Sequence, residues 1–401
     1  MPRLPIIAGL DIGTSTIKIL VAAPKEKSEN FEVLSSHQEP SLGVRRGVVV
    51  NPHNVAGAIA SLVKKAEQDC GRKISGVYAS IGGCHIFCNA SRGLVSVSRA
   101  DQKISEEDID RVLQNAQSLP LPPNKEILDI FPKEYIVDEE KGVKEAVGMQ
   151  GMRLEADVLV LCGFSPYLKN SIQAISNAGL QINFDLIPTP LASARAVLSL
   201  REKELGVVVL DIGAGTTSLA VFEEASLIHA AVFPIGSASI TSDIAICLKT
   251  DIDVAEKIKI EFGSCHPNQR FSKDEKKIKI EGEEPLIFSK KTLSEIIEAR
   301  VSEIFSLASK ELKKISKQGL LPSGVVLTGG GAKLPGIKDL AKKELGLPCR
   351  VGVPKRFSAS LEDPSFSVLC GLVMEGVALE VEPSGNGMKS RIKGFFRNFI
   401  P

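Results

Sequence analysis

Ile7-Ala-Gly-Leu-Asp11-Ile-Gly-Thr-Ser-Thr-Ile-Lys-Ile-Leu-Val21 decides the fold, because the chain carries its pattern twice. Val207-Val-Val-Leu-Asp211-Ile-Gly-Ala-Gly-Thr-Thr-Ser-Leu-Ala-Val221 repeats it, with the Asp-Ile-Gly core two hundred positions further on. Each copy is an apolar, β-branched run, a punctuation of glycine and hydroxyl residues, and a second apolar run. That order predicts strand, tight turn, strand, with glycine where the backbone needs positive φ or close approach. Two halves that open with one hairpin predict a duplicated α/β unit.

Working outward, a helix is expected over Asn54–Glu67 and a strand over Gly76–Ile81. Residues from about 84 to 165 read as an inserted module with strand-like runs near Phe87–Val97, Ile127–Val137 and Leu154–Leu161. Within it Ser105-Glu-Glu-Asp108 is a capping-box start for a helix reaching about Gln117, and Pro120 to Asn124 is a rigid break. A helix over Pro166–Ala178 returns the chain to the first half, and Pro188-Thr-Pro190 precedes another. In the second half, helices are expected over Ile240–Leu248, Val254–Phe262, Thr292 to about Lys317, and around Gly336–Glu344. The charged alternation at Lys277–Glu281 suggests a surface hairpin, and Val325 to Gly331 is a strand running into glycines. The expected divisions are 1–83 and 166–205 for the first unit, 84–165 for the insertion and 206–379 for the second unit. A linker at 380–388 and a terminal segment at 389–401 follow.

Composition narrows the class. Of 401 residues, 43% are hydrophobic and 24% charged, enough apolar content for full cores. A formal net charge of +1 excludes a surface built to displace counterions from nucleic acid, so no nucleic-acid partner is expected. No export signal precedes the eight cysteines, which are therefore expected as reduced thiols rather than a disulfide framework. Cys84-His85 with Cys88 lacks the second pair that a tetrahedral metal site needs. No stretch reaches the roughly 20 apolar residues of a spanning helix.

The two turns carry the expected chemistry. A nucleoside triphosphate needs backbone N–H donors at close range and carboxylates that face its hydrated magnesium. Gly13, Thr14 and Ser15, and Gly213, Gly215 and Thr216, would supply the backbone; Asp11 and Asp211, at strand ends, would face the metal, partly through water. Lys18 would bring a cation to the β- and γ-phosphates, and Gly329, Gly330 and Gly331 would leave bare backbone for adenine or ribose. There is no Gly-x4-Gly-Lys-Ser/Thr loop, and no Gly-x-Gly-x-x-Gly after a first strand, so neither a P-loop nor a Rossmann site is present.

These motifs, in this order, resemble the actin/Hsp70/hexokinase superfamily. Along nearly its whole length the chain resembles the FtsA family of bacterial cell division proteins. The resemblance is carried by Gly43-Val-Arg-Arg-Gly-Val-Val49, Ile74-Ser-Gly-Val-Tyr78, Phe131-Pro-Lys-Glu-Tyr135, Thr241-Ser-Asp-Ile-Ala245 and Ala255-Glu-Lys-Ile-Lys259. It implies an actin-like, duplicated RNase H-type fold, with an SHS2-type subdomain inserted at about 84–165. It further implies ATP with magnesium as the ligand, with Glu256 and Lys259 at the ribose and adenine. The implied partners are the FtsZ C-terminal tail, other copies of the chain in a polymer, and later division proteins. Lys291 and Arg300, on the helix beginning near Thr292, would pair with acids of that tail. One position departs from MreB and Hsp70 relatives, which carry a water-orienting Glu before the proline of the connecting segment. Thr189 stands there and cannot act as a carboxylate base, so turnover should be slow at best.

Met388–Pro401 carries four cations (Lys389, Arg391, Lys393 and Arg397) and no acid. Ile392, Phe395, Phe396, Phe399 and Ile400 recur at helical spacing and would form one apolar face. A basic amphipathic helix behind a Gly/Pro linker predicts attachment to anionic lipid at a membrane surface; the resemblance implies that this is the cytoplasmic side of the membrane at the division site. PilM, an actin-fold component of the type IV pilus platform, is the alternative; it is not expected to end in such a helix. A sugar or acetate kinase would need a substrate-side catalytic Asp, for which the sequence offers no strong candidate.

Overall fold

A computed structural model of the chain describes residues 6–25, 28–118, 120–266, 275–278 and 286–381. The first repeat forms β1 (Ile7–Ile12) and β2 (Thr16–Pro24), an antiparallel pair that sets Asp11 opposite Lys18. β3 (Phe31–Pro40) continues the meander. α1 (Pro52–Cys70) starts with proline in its first turn behind an Asn51 side-chain cap and stops at Gly71 in the left-handed region. It carries the chain to β4 (Gly76–Ile81), which pairs parallel with β1.

The insertion is its own antiparallel sheet. β5 (Phe87–Ser96), α2 (Glu106–Gln117), β6 (Lys125–Val137), β7 (Glu140–Val143) and β8 (Arg153–Phe164) follow in the chain, and the strands line up as β5-β8-β6-β7. α2 begins at the expected capping box, Ser105 with Asp108. Its buried Val112 and Leu113 join Leu154, Val158 and Val160 in a separate core. The module touches the second half where Cys88 Sγ donates to Ala230 O at 3.3 Å and where Lys144 meets Glu224 at 2.7 Å.

α3 (Ser165–Asn177), α4 (Thr189–Val197) and α5 (Leu200–Leu205) lead to the second repeat, β9 (Val207–Ile212) and β10 (Thr217–Glu223). β11 (Ser226–Phe233) completes a second meander, and α6 (Ser237–Leu248), α7 (Ile252–Phe262) and α8 (Lys290–Lys314) follow. β12 (Val325–Thr328) then pairs parallel with β9. After α9 (Ile337–Leu345), β13 (Cys349–Val351) closes the sheet, in the order β11-β10-β9-β12-β13. The first sheet has the corresponding order, β3-β2-β1-β4 followed by Gln181–Ile182, so the duplication expected from the hairpins is a duplicated sheet topology.

Three details differ from the sequence reading. α8 ends at Lys314, not near Lys317, because Ser316 turns to φ 57. The surface hairpin pairs Glu275–Ile278 with Leu286–Ser289, earlier than the charged alternation suggested. The third is α10 (Ser367–Val381), for which the sequence carries no helical period. Leu369, Cys370, Leu372 and Val373 are wholly buried, and a helix that is apolar on every side has no polar face to set a period. It runs through Val381, so the expected linker begins later than 380. The rest of that linker and the amphipathic segment 389–401 lie outside the described residues. Among those described, no helix is long and apolar enough to cross a membrane.

Candidate functional site

The two hairpin turns meet tip to tip. Gly13 N–H donates to Thr16 O at 3.1 Å and Gly213 N–H to Thr216 O at 2.9 Å, so equivalent bonds close the two turns. A Cβ on Gly215 would fall 2.7 Å from the Thr14 side chain, which is why that tip must be bare backbone. Around the turns lies a cleft of about 810 Å³. Asp11, Gly13, Thr14, Ser15, Lys18, Asp211, Gly213, Thr216, Glu256, Lys259, Gly329, Gly330 and Gly331 all line it; Gly215 packs behind it, against Thr14.

The carboxylates sit at the cleft floor. Ser80 Oγ donates to Asp11 Oδ1 at 2.9 Å, and the Ser193 hydroxyl, 3.4 Å from Pro190 O, also acts on Asp211. Burial holds the Asp11 carboxyl above its usual range, with Lys18 and Ser80 pulling it down. Asp211 is pushed up to about 7 by burial and by the charge of Asp11, against Lys18 and Ser193. Two crowded carboxylates sharing one lysine are short of positive charge. A hydrated divalent cation is the ligand that meets this deficit, so the donor set fits magnesium carried by a phosphate chain. Lys18 is itself buried, its Nζ donating to Ser365 O and lying 5.0 Å from the Phe366 ring centroid.

Glu256 and Lys259 are more than a surface ion pair. Lys259 is buried, and its Nζ donates to Glu256 Oε2 at 2.6 Å, Thr241 Oγ1 at 2.8 Å and Ser237 O at 3.2 Å. The Thr241 hydroxyl also bonds Glu256, so the network ties α7 to α6 and stiffens one wall of the cleft. On the opposite side Thr189, at the start of α4, is 3.0 Å from the Ser218 hydroxyl; no carboxylate occupies that place. Ser80, Ser193, Ser218 and Ser365 carry no signal in the sequence. They are isolated hydroxyls whose partners lie far along the chain, and only the sheet pairing reveals them.

Lys291 and Arg300 are not brought together. Nine residues along one helix place them on roughly opposite sides of α8. Arg300 grips Asp243 of α6 bidentately, Nε to Oδ2 at 2.6 Å and Nη2 to Oδ1 at 2.8 Å, and Nη1 holds Glu303. Its fork is therefore committed within the chain.

Comparison with known proteins adds independent findings. Residues 208–371 match the family model described as cell division protein FtsA, and residues 83–162 match the SHS2 domain inserted in it. The chain is 35% identical to cell division protein FtsA of Pseudomonas aeruginosa over 97% of its own length and 92% of that protein. It is 34% identical to FtsA of Borreliella burgdorferi over 98% of both chains. Among solved structures it is similar to a PilM–PilN type IV pilus biogenesis complex, with TM-score 0.67 and 21% identity over 95% of this chain and 100% of that one. MreB5 of Spiroplasma citri bound to AMPPNP is similar with TM-score 0.52 and 14% identity, over 92% and 95% of the two chains. At such identities the structural likeness establishes an actin-like fold and nothing further.

Proposed function

This chain belongs to the FtsA family of cell division proteins, and from that membership we propose that it binds ATP with magnesium in the cleft and polymerises on the cytoplasmic face of the membrane. There it ties FtsZ filaments to the membrane and recruits later division proteins. The observation that carries the nucleotide reading is the meeting of two hairpin turns over Asp11, Asp211 and Lys18. Asp11 and Asp211 would face the hydrated metal, Lys18 the terminal phosphates, and the Gly329–Gly331 backbone the nucleoside. Bound magnesium-ATP would supply a polyanion that bridges both halves. Calorimetry on Asp211→Ala tests this: most ATP affinity should disappear, and an unchanged affinity would refute the assignment.

The membrane reading rests on the basic amphipathic pattern of 389–401, and the tethering reading on family membership. An acidic FtsZ tail docking beside α8, at Lys291 or Arg300, would have to compete with Asp243 for Arg300. Arg300→Glu should weaken tail binding at low salt, where charge pairs are strongest. Because that change also breaks the Asp243 pair, Lys291→Glu is a second reversal to set beside it. The pilus-platform alternative has a fold likeness in its favour, while the terminal basic segment argues against it.

A further inference from the structure

The two strand-end aspartates are equivalent in the repeat but are seated differently. Each aspartate strand has a parallel neighbour with a hydroxyl residue at or next to its end: Ser80 follows Ala79, which pairs with Leu10, and Thr328 pairs with Asp211 itself. In the first half the hydroxyl turns to the carboxylate. Ser80 Oγ donates to Asp11 Oδ1 at 2.9 Å while accepting Ile12 N–H at 3.1 Å. In the second half it turns away, Thr328 Oγ1 lying 3.0 Å from Gly352 O and 2.5 Å from Ser367 Oγ. The Asp211 pKa is instead pulled down by Ser193 of α4, the helix connecting the halves, whose hydroxyl also lies 3.4 Å from Pro190 O. Ser193 has no exposed surface and Ser80 only 2%, so water cannot readily replace either hydroxyl. On its other side Asp211 is boxed by bare backbone, since a Cβ at Gly329 would fall 2.3 Å from Oδ1.

We propose that Ser80 and Ser193 are positioning residues for the magnesium-nucleotide site, and that Ser193 ties the alignment of Asp211 to the placement of the connecting helix. This rests on the reading of the cleft given above. A carboxylate turns easily about its terminal torsion, and one fixed donor selects the orientation that leaves the other oxygen for a metal-bound water. The Asp11 seat is built within one half. The Asp211 seat is built from α4 against β9, so displacing α4 relative to the second sheet unseats that carboxylate alone. α4 is held close to α10 at the same point, because a Cβ at Gly371 would fall 1.8 Å from Ala192 O.

The test is calorimetric titration of the full chain with ATP, once with excess magnesium and once with chelator. Ser80→Ala and Ser193→Ala should each lose about tenfold in affinity with magnesium, the scale of one hydrogen bond to a charged group, and lose nothing in chelator. At fixed ATP, the magnesium concentration giving half-saturation should rise in step. Ser80→Thr, which keeps the hydroxyl, should recover the magnesium effect. Equal losses in both conditions, or losses that merely track a lowered melting temperature, would make the serines structural and overturn the proposal. Alanine variants that keep the full magnesium effect would overturn it too. The wild-type arm separates this failure from that of the site: a wild-type chain without magnesium-dependent binding removes the cleft reading itself.

Discussion

Lys203 shows how much a single buried charge can matter. It is 4% exposed, with its ammonium 5.1 Å from the Phe222 ring centroid. Burial and the charge of Arg195 lower its pKa from 10.5 to about 7, with Glu375 opposing. Below that folded-state value the lysine is charged in both states and the full cost of burial is present. Between about 7 and 10.5 the unfolded chain holds a proton that the folded chain lacks, so stability from this group rises with pH across that window. Lys203→Met should therefore stabilise the protein by roughly 2–4 kcal/mol at pH 6, and the gain should vanish near pH 10.5. Urea midpoints measured at several pH values check this; a gain independent of pH would contradict it. Thr189 makes a second single-residue case. Wild-type phosphate release should stay below about 1 s⁻¹, the low end of ordinary enzymes. Thr189→Glu should raise it by supplying the missing carboxylate.

At the scale of elements, α10 is a strut packed on the first sheet and on α4, and its glycines show that packing outweighs propensity. In an exposed helix, glycine to alanine gains up to about 1 kcal/mol. Gly57 on α1 has nothing within 4 Å of the place where an alanine methyl would stand, so Gly57→Ala should raise the melting temperature. Gly371 on α10 has Ala192 O at 1.8 Å from the same position, and Gly9 on β1 has Leu369 O at 3.2 Å. Gly371→Ala should thus destabilise by about 1–3 kcal/mol or more, the cost of overpacking a filled core. Opposite shifts for one chemical change on two helices, read by thermal melting, are the expected outcome. The strut also reaches the cleft: Ser365, just before α10, holds Lys18, and Ser367 holds Thr328.

For the whole molecule, attachment to a membrane is a question of numbers. The segment 389–401 is too short to span a bilayer and would lie in the interface. Each cation is worth about 1 kcal/mol near an anionic leaflet, so on this proposal one copy would hold weakly and several held together would hold well. Phe395→Glu with Phe399→Glu should abolish liposome pelleting at any salt. Replacing Lys389, Arg391, Lys393 and Arg397 by Gln should remove only the preference for anionic lipid. Dilution below the assembly concentration should release the unaltered chain. A chain truncated after Val381 that still pellets would overturn the anchor and favour the pilus-platform reading.

The duplicated architecture and thirteen of the thirty residues that line the cleft were legible in the amino-acid order. Turn chemistry at Asp11–Gly13 and Asp211–Gly213, the capping box at Ser105 and the apolar period of α8 are all written within a few neighbouring positions, where steric and hydrogen-bonding rules act directly. What the order of residues could not reveal was α10, whose burial on every side erases its period. Nor could it reveal the partners of Ser80, Ser193, Lys18 and Arg300. Ser80 meets Asp11 across 69 positions, Arg300 meets Asp243 across 57 and Lys18 meets Ser365 across 347. Such distances are closed only by strand pairing and helix packing. Tertiary structure alone therefore decided which serine seats which carboxylate, and that Arg300 is already bound.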